Sequence, residues 1–254
     1  MKSNNPFLNR GLENTNFSQS TVIDITHNND TNIMTLNGTM NKSFILLTLL
    51  ISSAYFAWNY LPALTGNSNI FLYSSAIIGF ILVIISTFKP QASPFLAPAY
   101  ALVEGVFLGS ISMYFNALYP GIVLNAVMAT FVTFITMFAL YRTRIIVASE
   151  KFKSVVIGAT MAIAAFYLMN MVLRFFFNVS PISEGNSLLS IGISAVVVVV
   201  AALNLILDFD SIEQGSKSNL PKYMEWYSSM GLMITLVWLY LEILRLLSKL
   251  SSRD

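Results

Sequence analysis

The chain has no cysteine and a single histidine, His27. That excludes disulfides, thiolate metal sites and cysteine nucleophiles, and it leaves no sign of the redox compartment. His27 sits in a polar N-terminal stretch, so the apolar part of the chain has no histidine to serve as a metal ligand or base. Charge is scarce as well. Only 10% of the 254 residues are Asp, Glu, Lys or Arg, where a soluble domain carries about 25%. The net charge of +2 provides no single-sign field, so nucleic acid is not an expected partner. What the sequence has in abundance is apolar side chains: 56% of residues, with a mean hydropathy of +0.69. A surface this short of charge does not face water. The expected class is an all-α integral membrane protein, with the lipid bilayer as its first partner.

Residues 1–41 differ from the rest. They hold ten asparagines, many Ser and Thr, and apolar residues with no period. Such a stretch cannot bury enough surface to offset its ordering entropy, and it reads as a flexible tail. It lacks a basic segment followed directly by an apolar run, so it does not read as a secretory signal. Residues 42–250 then form seven apolar runs, each near the ~20 residues that cross the hydrocarbon. They are Phe44–Leu64, Ile70–Phe88, Phe95–Leu118, Gly121–Tyr141, Val155–Phe177, Leu188–Leu207 and Met224–Leu247. No internal repeat shows. Lysine and arginine concentrate at Lys89, at Arg142, Arg144, Lys151 and Lys153, and at Lys217 and Lys222. All of these fall on one side, with Lys42, which predicts a cytoplasmic N-terminus in a cell (inner) membrane. Arg245, Lys249 and Arg253 at the opposite end conflict with this rule.

Ionisable residues inside apolar runs cost about 2.5–3.5 kcal/mol each on insertion scales, which makes them functional candidates. Here they are Glu104, Arg174, Asp208, Glu242 and Arg245, with Asp210 and Glu213 just past the sixth run. Ser190, Ser194, Val197, Ala201, Asn204 and Asp208 recur at steps of three and four, and so do Gly231, Thr235, Trp238, Glu242 and Arg245. Each set occupies one helical face that ends in charge. The third run has a small-residue stripe through Ala101, Gly105, Gly109, Ser112 and Asn116, with Glu104 beside it. Small stripes let helices approach closely, and polar groups turn away from lipid. Turning the sixth and seventh stripes toward each other predicts that Asp208 and Glu242 share a low-dielectric spot and titrate as a unit. Losing the shared proton would part the helices or admit Ca²⁺, which prefers carboxylate oxygens. Plainer readings stand beside this one. Glu242 and Arg245 can be a local ion pair, Asp208 an interfacial cap, Glu104 packing glue, and Arg174 a snorkelling cation.

Three segments carry a family resemblance: Ala97–Gly109, Leu207-Asp208-Phe209-Asp210-Ser211-Ile212-Glu213, and Tyr240-Leu241-Glu242-Ile243-Leu244-Arg245-Leu246-Leu247. In this order they resemble the Bax inhibitor-1/YccA-like family of transmembrane Bax-inhibitor-motif proteins, over about residues 42–250. The likeness is closest to the bacterial branch with a polar N-terminal extension. The resemblance implies six helices around a central C-terminal one. It also implies a pH-sensitive Ca²⁺ leak controlled by two aspartates, which map onto Asp208 and Glu242. Glutamate at the second position departs from the pattern and lengthens the side chain by one methylene. A basic residue linked to this latch in some relatives has its nearest counterpart in Lys89. Glu104 stands where other branches are not acidic, and would add a third carboxylate along the path. Some bacterial relatives are linked to a membrane-bound ATP-dependent protease, so a regulatory protein without transport is the alternative. No cofactor is expected beyond a transported Ca²⁺ or H⁺. An intramembrane enzyme is disfavoured: neither acid lies in a Gly-x-Gly-Asp stretch, and there is no His-Glu-x-x-His site.

Overall fold

The computed structural model describes residues 32–65, 68–177, 185 and 187–252. His27, Arg253 and most of the tail, residues 1–31, lie outside them. Seven α-helices follow in order: α1 (Leu36–Thr65), α2 (Ser68–Phe88), α3 (Ser93–Leu118), α4 (Ile122–Arg142), α5 (Glu150–Phe177), α6 (Leu188–Lys217) and α7 (Met224–Ser251). A single 3₁₀ turn, Pro90–Ala92, joins α2 to α3. Every one of the seven is long and apolar enough to cross a membrane. With no water in the bilayer core, each helix satisfies its own backbone, and this overrides the low helix propensity of the valine run in α6. The chain is a multi-pass membrane protein.

Three boundaries differ from the apolar runs. α1 begins at Leu36, inside the stretch read as tail, because Asn32, Met34 and Thr35 are tied to Lys222, Leu220 and Glu225. α5 begins at Glu150 rather than Val155. α6 continues ten residues past Leu207 to Lys217, so Asp208, Asp210 and Glu213 all lie within the helix. Its start is capped by Ser187, whose side chain accepts from the Ser190 N–H at 3.2 Å. The tight α3–α4 turn requires Gly121, at φ 85°, where a side chain would be strained. The Gly121 N–H donates to the Asn116 side chain at 3.0 Å.

α7 is the central helix. It packs against α1, α3, α4 and α6, and 56% of its apolar window is buried, against 6% for α5. α2 packs mainly on α3, and α5 on α6. The small stripe of α3 works against α1 rather than α7. A Cβ on Gly105 would stand 2.5 Å from the Leu50 carbonyl oxygen, and one on Gly109 would stand 2.4 Å from that of Ala54. Ser53 Oγ seals the contact by donating to the Leu102 carbonyl at 2.6 Å. The glycine on the α7 stripe, Gly231, has open space around it.

Candidate functional site

The stripe on α7 that ends at Glu242 faces α5 and α6. α6 packs extensively on α7, whereas α5 reaches α7 chiefly through polar side chains. Glu242 is 2% exposed. The Tyr167 hydroxyl on α5 donates to both of its carboxylate oxygens at 3.0 Å. Arg245, one turn on, reaches them at 3.0 and 3.1 Å and the Tyr167 oxygen at 2.7 Å, with its guanidinium 5.1 Å from the Tyr167 ring centre. The local Glu242–Arg245 pair is therefore present, and Tyr167 ties it to α5. Arg245 is thus spent partly inside the bundle. Lys249 is buried and donates to Ser190 O at 3.2 Å and Ser194 Oγ at 2.7 Å.

Asp208 behaves differently. Its Oδ2 is buried without a hydrogen-bond partner, and the polar group beside the carboxyl is the Thr235 hydroxyl. Leaving such an oxygen unsatisfied costs about 1–3 kcal/mol in a folded protein. The antiparallel α6–α7 register sets 208 against 235, and 190 and 194 against 249. Glu242 lies two turns beyond Thr235, about 10 Å of helix rise. The expectation of one proton shared directly between Asp208 and Glu242 is corrected accordingly. Both line the same seam, at two levels, and among the described residues Glu242 is bonded to Tyr167 and Arg245 instead. Between the levels, Asn204 donates to Thr160 Oγ1 on α5 at 2.8 Å and to the Val200 carbonyl at 2.9 Å.

The remaining candidates separate from the seam. Glu104 is buried between α2 and α3, with Tyr100 as its hydrogen-bonding neighbour; its Oε2 stands 3.0 Å from where a Cβ on Gly79 would be. It therefore serves the α2–α3 contact and not the path along α6. Lys89 is exposed in the α2–α3 turn, and Arg174 is exposed near the end of α5. Asp210 pairs with Lys153 at 2.9 Å, and Glu213 with Arg144 at 2.7 Å and Lys217 at 2.6 Å. Tyr141 also donates to Glu213. The Glu213 carboxylate holds the Arg144 guanidinium further into its charged form than usual. Together these groups clamp the α4–α5 loop to the end of α6.

Sequence reasoning passed over two partners. Tyr167 was hidden in an apolar run, although a lone tyrosine at mid-span is the kind of group that finds a buried partner. Glu225, the second residue of the last run, is absent from the sequence candidates, yet it is 1% exposed. It accepts from Thr35 N and Oγ1, both at 2.9 Å, and from Lys42. Met34 N–H donates to Leu220 O at 2.7 Å, and Lys222 N–H to Asn32 O at 2.8 Å. Residues 32–42 are thereby strapped to the α6–α7 loop. Among the described residues, no three acidic or histidine side chains converge to hold a metal.

A family model described as Bax inhibitor 1 like matches residues 5–252, nearly the whole chain. No curated protein matches it.

Proposed function

We propose that this chain, which belongs to the Bax inhibitor 1-like family, lets Ca²⁺ or other cations leak along the α5–α6–α7 seam, gated by the carboxylates Asp208 and Glu242, Asp208 through its protonation. The observation that carries this reading is the buried, unpartnered Oδ2 of Asp208, on a seam where polar side chains join α5 to α6 and α7. Neutral Asp208 closes the lower level. Raising the pH ionises it and presents an acceptor to a cation. At the upper level Glu242 is neutralised by Arg245 and held to α5 by Tyr167, so a passing cation competes with the guanidinium. Ca²⁺ is cargo here and not a resident ion. No covalent chemistry is assigned to these residues. The concentration of Lys and Arg at the strapped end supports a cytoplasmic N-terminus in a cell membrane.

Reconstitution into liposomes loaded with a Ca²⁺ dye tests the proposal. Flux rises from pH 6 to pH 8, loses that rise in Asp208→Asn, and increases in Tyr167→Phe. Flux equal at both pH values, and unaffected by Asp208→Asn, overturns the reading. One observation favours a second reading, a regulatory protein acting through a membrane partner such as a protease. Residues 32–42 are strapped to the α6–α7 loop, so a partner holding the residues before them pulls directly on α7. Removing residues 1–31 separates the two: partner capture is lost while any flux persists.

A further inference from the structure

α1 and α4 both pack on α7 and on α3, yet they make no substantial contact with each other. The space between them is a groove of about 530 Å³. Its floor is Leu108, Gly109 and Ser112 of α3 with Leu236, Val237 and Tyr240 of α7, all shielded inside the bundle. Its mouth is formed by residues that face outward: Ile51 at 52% exposure and Tyr55 at 68% on α1, and Phe131 at 43% on α4. All four helices are candidate membrane spans, so the mouth opens sideways, at the depth of the hydrocarbon.

Four of the lining polar side chains are already paired. Ser112 and Tyr240 share a hydrogen bond of 2.6 Å, Thr130 donates to Ala126 O at 2.7 Å, and Asn59 donates to Tyr55 O at 2.9 Å. Water holds in a cavity only where two or more polar partners await it, and the deep part of the groove, lined by Leu47, Leu50, Leu108, Val127, Leu236 and Val237, offers none. Interiors close-pack, so an apolar space open to lipid takes an apolar filler. The groove runs along α1 from Leu47 to Asn59, about 18 Å at 1.5 Å per residue. One leaflet contributes roughly 15 Å of the ~30 Å hydrocarbon core.

We propose that this groove binds one acyl chain of a bilayer phospholipid, from the leaflet into which the C-terminal end of α1 runs. Trp58, Tyr55 and Asn59 close the end nearest that interface, where amphipathic rings sit at headgroup level. The bound chain lies against the face of α7 opposite Glu242, since Leu236, Val237 and Tyr240 are turned about half a revolution from Thr235 and Glu242. It therefore braces the central helix from behind. The binding does not depend on cation leak.

The chain has three tryptophans, and Trp226→Phe with Trp238→Phe leaves Trp58 as the sole tryptophan, excited selectively at the red edge of its absorption. In vesicles of phosphatidylcholine brominated at mid-chain, Trp58 is quenched severalfold. Val127→Phe fills the groove and reduces that quenching by at least half. Val199→Phe, on the exposed face of α6 at 57% exposure, leaves it unchanged. Native mass spectrometry shows one phospholipid retained per chain, lost in Val127→Phe. Where Val127→Phe does not fold, Val123→Phe one turn earlier replaces it. Equal quenching with the groove open and filled means that Trp58 senses only surrounding lipid, and overturns the proposal.

Discussion

The two faces of α7 are built on opposite principles. Toward α1, α3 and α4 it presents Leu236, Val237 and Tyr240, and there α1 closes on α3 until backbone meets backbone at Gly105 and Gly109. Toward α6 it presents Thr235 and toward α5 Glu242 and Arg245, with Tyr167 of α5 on Glu242 and Asn204 of α6 on Thr160. The difference teaches where motion is inexpensive. Close-packed small residues have one arrangement, because any shift brings a clash. A hydrogen-bonded seam in a membrane has several, since polar partners can be exchanged and each such bond contributes only about 0.6 kcal/mol on average.

The largest effect should come from the strap on the α1 side. Lys42→Ala strands Glu225, whose carboxylate is 1% exposed, and breaking one side of a buried pair costs about 3–5 kcal/mol. Chemical denaturation in detergent is expected to show that loss, with much of it recovered in Lys42→Met combined with Glu225→Met. Next comes the contrast between glycines. Gly109→Val drives a side chain into the Ala54 carbonyl and should cost about 1–3 kcal/mol or more. Gly231→Ala meets nothing within 4 Å and should gain up to about 1 kcal/mol from helix propensity. Thermal unfolding of the pair breaks the two-face description if both lose stability equally. The smallest effect belongs to Lys217→Ala. Its side chain is 70% exposed and Glu213 keeps Arg144, so the melting point should stay within the equivalent of about 1 kcal/mol.

Much of the fold was legible from composition, for a simple reason. Lipid requires each spanning segment to satisfy its own backbone, so apolar length alone reports a helix. Boundaries were less legible where polar residues are helical, as at Leu36–Ser43 and Asp208–Lys217, because there the partners are distant in sequence. The site was half legible. Stepwise spacing placed Asp208 and Glu242 on stripes that face the same seam. It did not fix their relative depth, since helical phase gives direction around an axis and not register between two axes.

The sequence by itself determined that the chain is membrane-embedded and all-helical in seven segments. It also marked the few charges placed against the cost of lipid, because these follow from local transfer energies. Only the tertiary structure decided which of those charges are neutralised. Tyr167 and Arg245 answer Glu242, Lys42 answers Glu225, and one oxygen of Asp208 is left without a partner. Pairing depends on how helices slide past one another, and that register is set by the sum of all their contacts.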